Sequence, residues 1–223
     1  NSNSWVINLL HRSNDPYFPL SSGQRLADGL KTPLTIIENG WHLNAESGYT
    51  QFPQIFKILE IYQMILIHPN LYIGKDADCI AFHDNPEFAI VHACKTCHMR
   101  VLNYKKSLPK DHPNYYFLEN ENHIYLNLLD LPKELSQKYA DPKFLAAIRF
   151  IDKHISTHKV LIHCNQGQSR STSVGLVYLA KNNIIRNDTY RKACNDFIKL
   201  YPKFKPNNGV KLYVRNNWNS LVK

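Results

Sequence analysis

The chain has 223 residues, of which 43% are hydrophobic and 20% are charged, so it is long and apolar enough for one domain with an extension. Its 8 glycines and 12 prolines show no short period, which excludes a collagen-like repeat, and no apolar run approaches the ~18 residues of a membrane-spanning helix. Lys and Arg number 27 against 18 Asp and Glu, and the net charge of +9 favours anionic partners. We therefore predict a soluble protein without a membrane span.

The cysteines are few and odd in number, which is not typical of the disulfide framework of a secreted domain. They are Cys79, Cys94, Cys97, Cys164 and Cys194. This set predicts a reducing compartment such as the cytoplasm. The sequence begins at Asn1 rather than at Met, so a processed form that has lost a targeting segment is an alternative.

Residues 1–66 are predicted to form an N-terminal extension that packs on a larger domain at residues 67–223. Within the extension, Leu34–Ile37 has the composition of a short strand. After Pro53, apolar residues recur at helical spacing and predict a helix of about four turns over residues 55–66.

In residues 67–223, short apolar runs of strand type are followed by longer helical patterns. The strands are predicted at residues 71–73, 88–91, 124–126 and 160–162, and the helices in a segment ending near His154 and at residues 171–181, 189–200 and 210–221. Strands separated by helices of this length predict an α/β fold with a central, mostly parallel sheet flanked by helices.

A cysteine and an arginine separated by five residues stand between the last predicted strand and the helix that follows it. The segment reads His163-Cys164-Asn165-Gln166-Gly167-Gln168-Ser169-Arg170-Ser171. A loop in this position directs backbone N–H groups at a dianionic oxyanion such as phosphate, and the helix adds its positive dipole end. Gly167 suits a loop that needs positive φ, and Arg170 offers parallel hydrogen bonds to two phosphate oxygens. The segment therefore predicts a phosphate-binding loop.

The same surroundings favour the thiolate form of Cys164, which is the nucleophilic form of cysteine. A thiolate can attack phosphorus to give a phosphocysteine, so that hydrolysis is divided into two displacements. Ser171 is placed to hydrogen-bond the sulfur as it leaves. The alternative is that Cys164 is a small buried apolar residue at a strand end. The coincidence of five matching residues between a strand and a helix favours the catalytic interpretation.

This segment resembles the signature loop of the cysteine-dependent protein tyrosine phosphatases, in the dual-specificity style. Residues 70–74 resemble the strand that opens the catalytic domain of that family, and residues 205–209 resemble the turn before its last helix. The similarity covers residues 70–220 and is closest to poorly characterised phosphatase-like proteins with a His-Ala-Cys segment, here residues 92–94. It implies no cofactor and no metal ion. It implies catalytic Cys164 and Arg170, a supporting His163, and phosphate binding by Asn165, Gln166, Gly167, Gln168 and Ser169.

The resemblance also implies an aspartate that protonates the leaving oxygen, from a loop some thirty residues before the cysteine. Asp130 fits this position, because it lies 34 residues before Cys164 and precedes Pro132. Its role is that of general acid first and of general base for water afterwards. Asp141 is the competitor, but it lies 23 residues before Cys164, and the Asp141-Pro142 pair predicts a helix start.

The implied partner is a phosphorylated protein, with phosphotyrosine as the main substrate and phosphoserine and phosphothreonine as further ones. The loop interior has no Lys or Arg, unlike the phosphoinositide phosphatases that resemble this family. The net charge of +9 keeps anionic lipid, in the form of inositol phospholipids, and RNA 5′-phosphates as alternatives. A basic cluster is typical of a solvated face, with a groove for an anionic partner as the alternative; its residues are Lys199, Lys203, Lys205, Lys211 and Arg215. A non-catalytic module that binds phosphoproteins is the alternative from a different class.

Cys94 and Cys97, flanked by His92 and His98, have the spacing of half a zinc site. No second pair at matching spacing accompanies them, although Cys79 and His83 lie nearby in sequence. An ordinary strand-to-loop segment is the favoured interpretation. A resolving role for either cysteine towards an oxidised Cys164 is a further alternative.

Overall fold

The structure is a computed structural model, and it describes residues 9–12, 24, 34–37 and 64–223. The chain divides into two compact units, Asn1–Tyr62 and Gln63–Lys223. In the first unit, strands β1 (Leu9–Arg12) and β2 (Leu34–Ile37) pair in parallel, which confirms the predicted strand at Leu34–Ile37. Residues 55–63 of the predicted helix lie outside the described residues.

The second unit is built on a six-stranded sheet. Its strands, in spatial order, are β3 (Ile65–His68), β4 (Leu71–Gly74), β8 (Lys159–His163), β5 (Phe88–His92), β7 (His123–Leu126) and β6 (Phe117–Glu119). The four inner strands are parallel, and an antiparallel strand borders them at each edge. Every residue of β5 is buried, as expected for a strand covered on both faces. The predicted α/β fold with a mostly parallel central sheet is confirmed.

Helices cover both faces of this sheet. They are α1 (Asp76–Phe82), α2 (Lys95–Val101), α3 (Gln137–His154), α4 (Arg170–Lys181), α5 (Tyr190–Leu200), α6 (Asn208–Asn216) and α7 (Trp218–Val222). Side chains alternate along a strand. On β8, Val160 and Ile162 therefore join the main core with α3 and α4, whereas Leu161 packs with Phe88 and Ile90 on the opposite face. Within the described residues, no helix is long and apolar enough to cross a membrane.

The helix predicted over residues 55–66 is wrong at its end, because Ile65 and Leu66 belong to β3. Ile65 pairs with Ile73 across a tight antiparallel connection to β4. Asn70 takes the left-handed backbone conformation in that connection, with φ of 61°. The apolar spacing of this short run fits a helix as well as a strand, and pairing with β4 makes it a strand.

Two further helix predictions need correction. The helix predicted at residues 210–221 is two helices, because Asn217 ends α6, with its backbone N–H bonded to the Tyr213 carbonyl, and precedes α7. The helix predicted to begin at Asp141-Pro142 begins earlier, after Ser136, and holds Pro142 inside α3. The apolar face that follows Pro142 is buried in the core, and this packing retains the proline within the helix.

Candidate active site

The loop that carries Cys164 joins the carboxyl end of β8 to the first turn of α4. Gly167 has φ of 69°, and a Cβ at this position would lie 2.8 Å from the Gly74 carbonyl oxygen. Only glycine fits both the conformation and the close approach, which confirms the predicted positive φ. The Tyr201 hydroxyl donates a 2.8 Å hydrogen bond to the Gly167 carbonyl. The loop is therefore held from two sides, by β4 and by the end of α5.

Tyr201 is itself buried beside the loop. Burial, together with the nearby Cys164 sulfur, raises the pKa of Tyr201 to about 12. The hydroxyl is therefore protonated at neutral pH and acts as a donor to the Gly167 carbonyl.

The Cys164 sulfur lies directly beneath the first turn of α4. Its Sγ is 3.2 Å from the Ser171 Oγ, and both residues are buried. Ser171 is the second residue of α4. The Cys164 sulfur therefore lies close both to the Ser171 hydroxyl and to the positive end of the helix dipole. The structure thus brings together the predicted nucleophile and the hydroxyl predicted to assist its departure.

The Arg170 guanidinium is hydrogen-bonded through both terminal nitrogens, and its Nε forms an ion pair with Asp130. One terminal nitrogen donates to Asn165 Oδ1 at 2.7 Å, and the other donates to the Leu128 carbonyl at 3.2 Å. Its Nε has no hydrogen-bond partner among the described residues and lies 3.5 Å from Asp130 Oδ2. A buried donor without a partner costs free energy unless an acceptor such as a phosphate oxygen reaches it.

The two candidate acids occupy different places. Asp130 Oδ1 accepts a 2.9 Å hydrogen bond from the Ser169 hydroxyl, which in turn accepts one from the Asn207 backbone at 3.0 Å. Asp130 therefore lies beside the loop. Asp141 is on α3 and accepts a 2.6 Å hydrogen bond from the Tyr213 hydroxyl.

A pocket of about 310 Å³ opens over the loop. It is lined by Asp130, Cys164, Asn165, Gln166, Gln168, Ser169, Arg170, Lys205 and Asn207. Asp141 is not among its lining residues, and neither are Gly167 and the buried residues His163 and Ser171. Of the basic cluster predicted at residues 199–215, Lys205 reaches the pocket. Asn207 also lines the pocket, although the resemblance of residues 205–209 to the family's turn did not predict it as a site residue.

The turn at residues 205–209 is tied to the loop through the backbone. The Lys205 N–H donates to the Gln168 carbonyl at 3.0 Å, and the Asn207 N–H donates to Ser169 Oγ. The part of the pocket that Lys205 and Asn207 line therefore depends on the turn before α6, which is about forty residues downstream of Cys164.

The N-terminal unit gives a separate match. A sequence model of the family described as "Serine hydrolase" matches residues 4–61. This match ends one residue before the first compact unit ends, at Tyr62. That residues 1–66 pack as an extension on the second unit stays a prediction.

The second unit is similar to proteins of the phosphatase group. The chain is 28% identical over 142 residues to human dual specificity protein phosphatase 9, covering 63% of this chain and 33% of that protein, so it spans about a third of that relative. The crystal structure of human tyrosine phosphatase-like serine/threonine/tyrosine-interacting protein matches with a TM-score of 0.50 and 20% identity, covering 73% of this chain and 99% of that chain. Human DUSP28 matches with a TM-score of 0.48 and 16% identity, covering 72% and 95%. The sequence relative and the match at a TM-score of 0.50 show that this chain has a dual-specificity phosphatase-like fold.

Proposed function

We propose that residues 63–223 form a phosphomonoesterase that acts through a phosphocysteine on Cys164. The observation that carries this proposal is the convergence of three groups on one pocket: the Cys164 sulfur, the Arg170 guanidinium and the Asp130 carboxyl group. These groups supply a nucleophile, an oxyanion donor and a proton donor, which are the parts that phosphoryl transfer to a thiolate requires.

In the first displacement, the Cys164 thiolate attacks phosphorus, an S–P bond forms and the P–O bond to the leaving group breaks. Asp130 is the general acid that gives a proton to the leaving oxygen. Backbone N–H groups of the loop, the positive end of α4 and Arg170 stabilise the charge on the phosphoryl oxygens.

In the second displacement, the Asp130 carboxylate takes a proton from water as the water attacks phosphorus. The S–P bond breaks, inorganic phosphate leaves and the thiolate is restored. Ser171, 3.2 Å from the sulfur, donates a hydrogen bond that stabilises the returning negative charge.

Phosphotyrosine on proteins is the proposed substrate, with phosphoserine and phosphothreonine as further ones. The loop interior carries no Lys or Arg. Lys205 is the basic side chain that lines the pocket outside the loop. One cation at the rim suits a single phosphoryl group better than a polyphosphorylated headgroup, for which several cations are needed.

The compartment we infer is a reducing one. All five cysteines are free, and four of them are buried. A nucleophilic thiolate also persists only where oxidants are scarce, since it is the form of cysteine that oxidises.

Turnover separates an enzyme from a binding module. The chain is expected to hydrolyse an aryl phosphate and a phosphotyrosyl peptide, and to accumulate a phosphoenzyme in single-turnover mass spectrometry. Cys164→Ser should abolish hydrolysis and still bind the peptide. The matched control is Cys194→Ser, a half-buried cysteine on α5, which should retain the wild-type rate.

Each contrary outcome has a defined meaning. Hydrolysis that survives in Cys164→Ser would exclude the phosphocysteine. A wild-type chain that binds phosphopeptide without turnover would be a binding module, and faster hydrolysis of an inositol phospholipid or an RNA 5′-phosphate would overturn the proposed substrate class.

A further inference from the structure

A second cluster of reactive side chains lies next to the pocket, on the side of the sheet that α1 and α2 cover. It consists of Cys79, His92, Cys97 and His163, which each offer one nitrogen or sulfur donor, and these four atoms all lie within 4.8 Å of one another. Their exposed fractions are 6%, 1%, 7% and 0%. Two thiols and two imidazoles buried together are the donor set of a structural zinc site.

The sheet and the two helices assemble this cluster from four separate segments. His92 at the end of β5 pairs in register with His163 at the end of β8, so both rings project from the same face. Cys79 comes from α1, which packs on β4 and β8, and Cys97 comes from α2, which packs on β7. Each helix therefore places one sulfur over the histidine pair.

The distances within the cluster approach those of a metal tetrahedron. Bonds of ~2.3 Å to sulfur and ~2.0 to 2.1 Å to nitrogen place tetrahedral donors about 3.3 to 3.8 Å apart. Cys79 Sγ lies 3.5 Å from His92 Nδ1, and Cys97 Sγ lies 3.8 Å from His163 Nε2. The two nitrogens, His92 Nδ1 and His163 Nε2, are 2.8 Å apart. Small side-chain rotations would therefore admit an ion.

The outward nitrogen of His92 is within hydrogen-bond distance of an acceptor, whereas that of His163 is buried, has no hydrogen-bond partner among the described residues and has a carboxylate as its neighbour. His92 Nε2 lies 3.0 Å from His123 Nδ1, and His163 Nδ1 lies 3.6 Å from an Asp76 carboxylate oxygen. A histidine that binds a metal through one nitrogen carries a proton on the other and donates it to such a partner. This orientation fits ligation by His92 Nδ1 and His163 Nε2.

We propose that Cys79, His92, Cys97 and His163 bind one zinc ion, which fastens α1 and α2 to the ends of β5 and β8. Two thiolates neutralise the ion's two positive charges, so the complete site is neutral and can be buried. A tetrahedral set of two sulfurs and two nitrogens favours zinc over magnesium or calcium, which prefer oxygen.

The ion has a structural role and takes no part in the displacement at phosphorus. His163 directly precedes Cys164, so a ligand bond at His163 fixes the strand end from which the loop departs. Of the cysteine pair at residues 94–97, Cys97 is one of these four residues. Cys94 precedes α2 and packs with Cys97, but it belongs to a different donor group, with Asp76 and His163.

The wild-type protein gives the primary test. Chain produced in zinc-supplemented cells is expected to contain one equivalent of zinc by elemental analysis, and X-ray absorption at the zinc edge should show two sulfur and two nitrogen ligands. The cobalt-loaded protein should show the strong visible absorption of a tetrahedral site with thiolate charge-transfer bands. These measurements depend on no variant that must fold.

Variants then locate the ion. Cys79→Ser and Cys97→Ser should lose zinc, and Cys194→Ser should keep one equivalent. Cys164→Ser should also keep its zinc while losing hydrolysis, so the failure of either proposal is visible without the other. His123→Ala, which removes only the outer partner of His92, should weaken zinc affinity by ~10- to 100-fold.

Four results would overturn the proposal. The first is protein without zinc whose apo form takes up none from a chromogenic zinc indicator, which would leave a hydrogen-bonded cluster. The second is zinc without sulfur ligands, which would place it among His83, His92 and His123. The third is a Cys79–Cys97 disulfide in the native protein, and the fourth is zinc retained in both Cys79→Ser and Cys97→Ser.

Discussion

Gly209 is expected to control the position of Asp130, although the two residues are 79 positions apart. Gly209 is in the first turn of α6, where its N–H donates a 2.9 Å hydrogen bond to the Leu131 carbonyl and its carbonyl accepts a 3.3 Å bond from Leu135. A Cβ on Gly209 would overlap the Leu131 carbonyl oxygen and lie 2.5 Å from that of Lys133. Gly209→Ala therefore forces the Asp130 segment away from α6.

The size of the effect follows from these contacts. Overpacking against backbone costs about 1 to 3 kcal/mol, and each of two weakened hydrogen bonds adds about 0.5 to 1.5 kcal/mol. Alanine recovers up to ~1 kcal/mol through its helix propensity. We expect the free energy of unfolding to fall by about 1 to 6 kcal/mol, and each kcal/mol should lower Tm by about 2 to 4 °C in a domain of this size.

The assay combines urea unfolding with steady-state kinetics. Because Asp130 moves with Leu131, kcat for phosphotyrosine should fall more than kcat for an activated aryl ester, whose leaving oxygen scarcely needs a proton. Gly175→Ala is the control. Its Cβ would meet the terminal methyls of Ile73 and Ile67 at 2.9 and 3.1 Å, and flexible side-chain ends can move aside. Wild-type stability in Gly209→Ala, or equal losses on both substrates, would refute the reasoning.

Three further predictions test separate parts of the structure. Asp130→Asn should lower kcat for phosphotyrosine by about 10² to 10⁴, with a smaller loss for the activated ester, whereas Asp141→Asn should behave like wild type on both; the reverse pattern would refute our assignment. Gly167→Ala should cost about 1 to 2 kcal/mol in urea unfolding because of its φ of 69°, and unchanged stability would contradict the strain. Burial lowers the pKa of Lys143 to about 7. The unfolded chain therefore binds one more proton between pH 7 and 10.5, and wild-type stability should gain about 2 kcal/mol from pH 7 to 9. Lys143→Met, followed by urea unfolding at both pH values, should lack this gain, and an equal gain in the variant would exclude Lys143 as its source.

The sequence alone predicted the phosphate-binding loop, because the residues that form it are consecutive in the chain. A strand, a cysteine, five residues, an arginine and a helix are consecutive, so their spacing alone predicts where backbone N–H groups and the guanidinium converge. Cys164, Ser169, Arg170 and Ser171 come together in the structure for that reason. The four inner strands were also predicted, because burial on both faces requires near-continuous apolar runs.

The sequence did not predict some of the secondary-structure elements that are short or that lack a periodic apolar face. Helices α1 and α2 span seven residues each and were not predicted. Their positions depend on packing over the sheet rather than on helix propensity. Likewise, Ile65 and Leu66 fit a helix by spacing, and pairing with β4 places them in a strand.

The tertiary structure alone brought Cys79, His92, Cys97 and His163 to one point. By spacing alone, Cys94 and Cys97 form half a zinc site. Cys79 is only nearby in sequence, and His163 belongs to the segment of the phosphate-binding loop. Strand register sets His92 beside His163 across 71 positions, and two helices then supply one sulfur each. No local pattern encodes that register, because it is fixed by the burial of whole strands in a shared core. The same long-range packing brings Asn207 to the loop and holds Asp130 against Ser169.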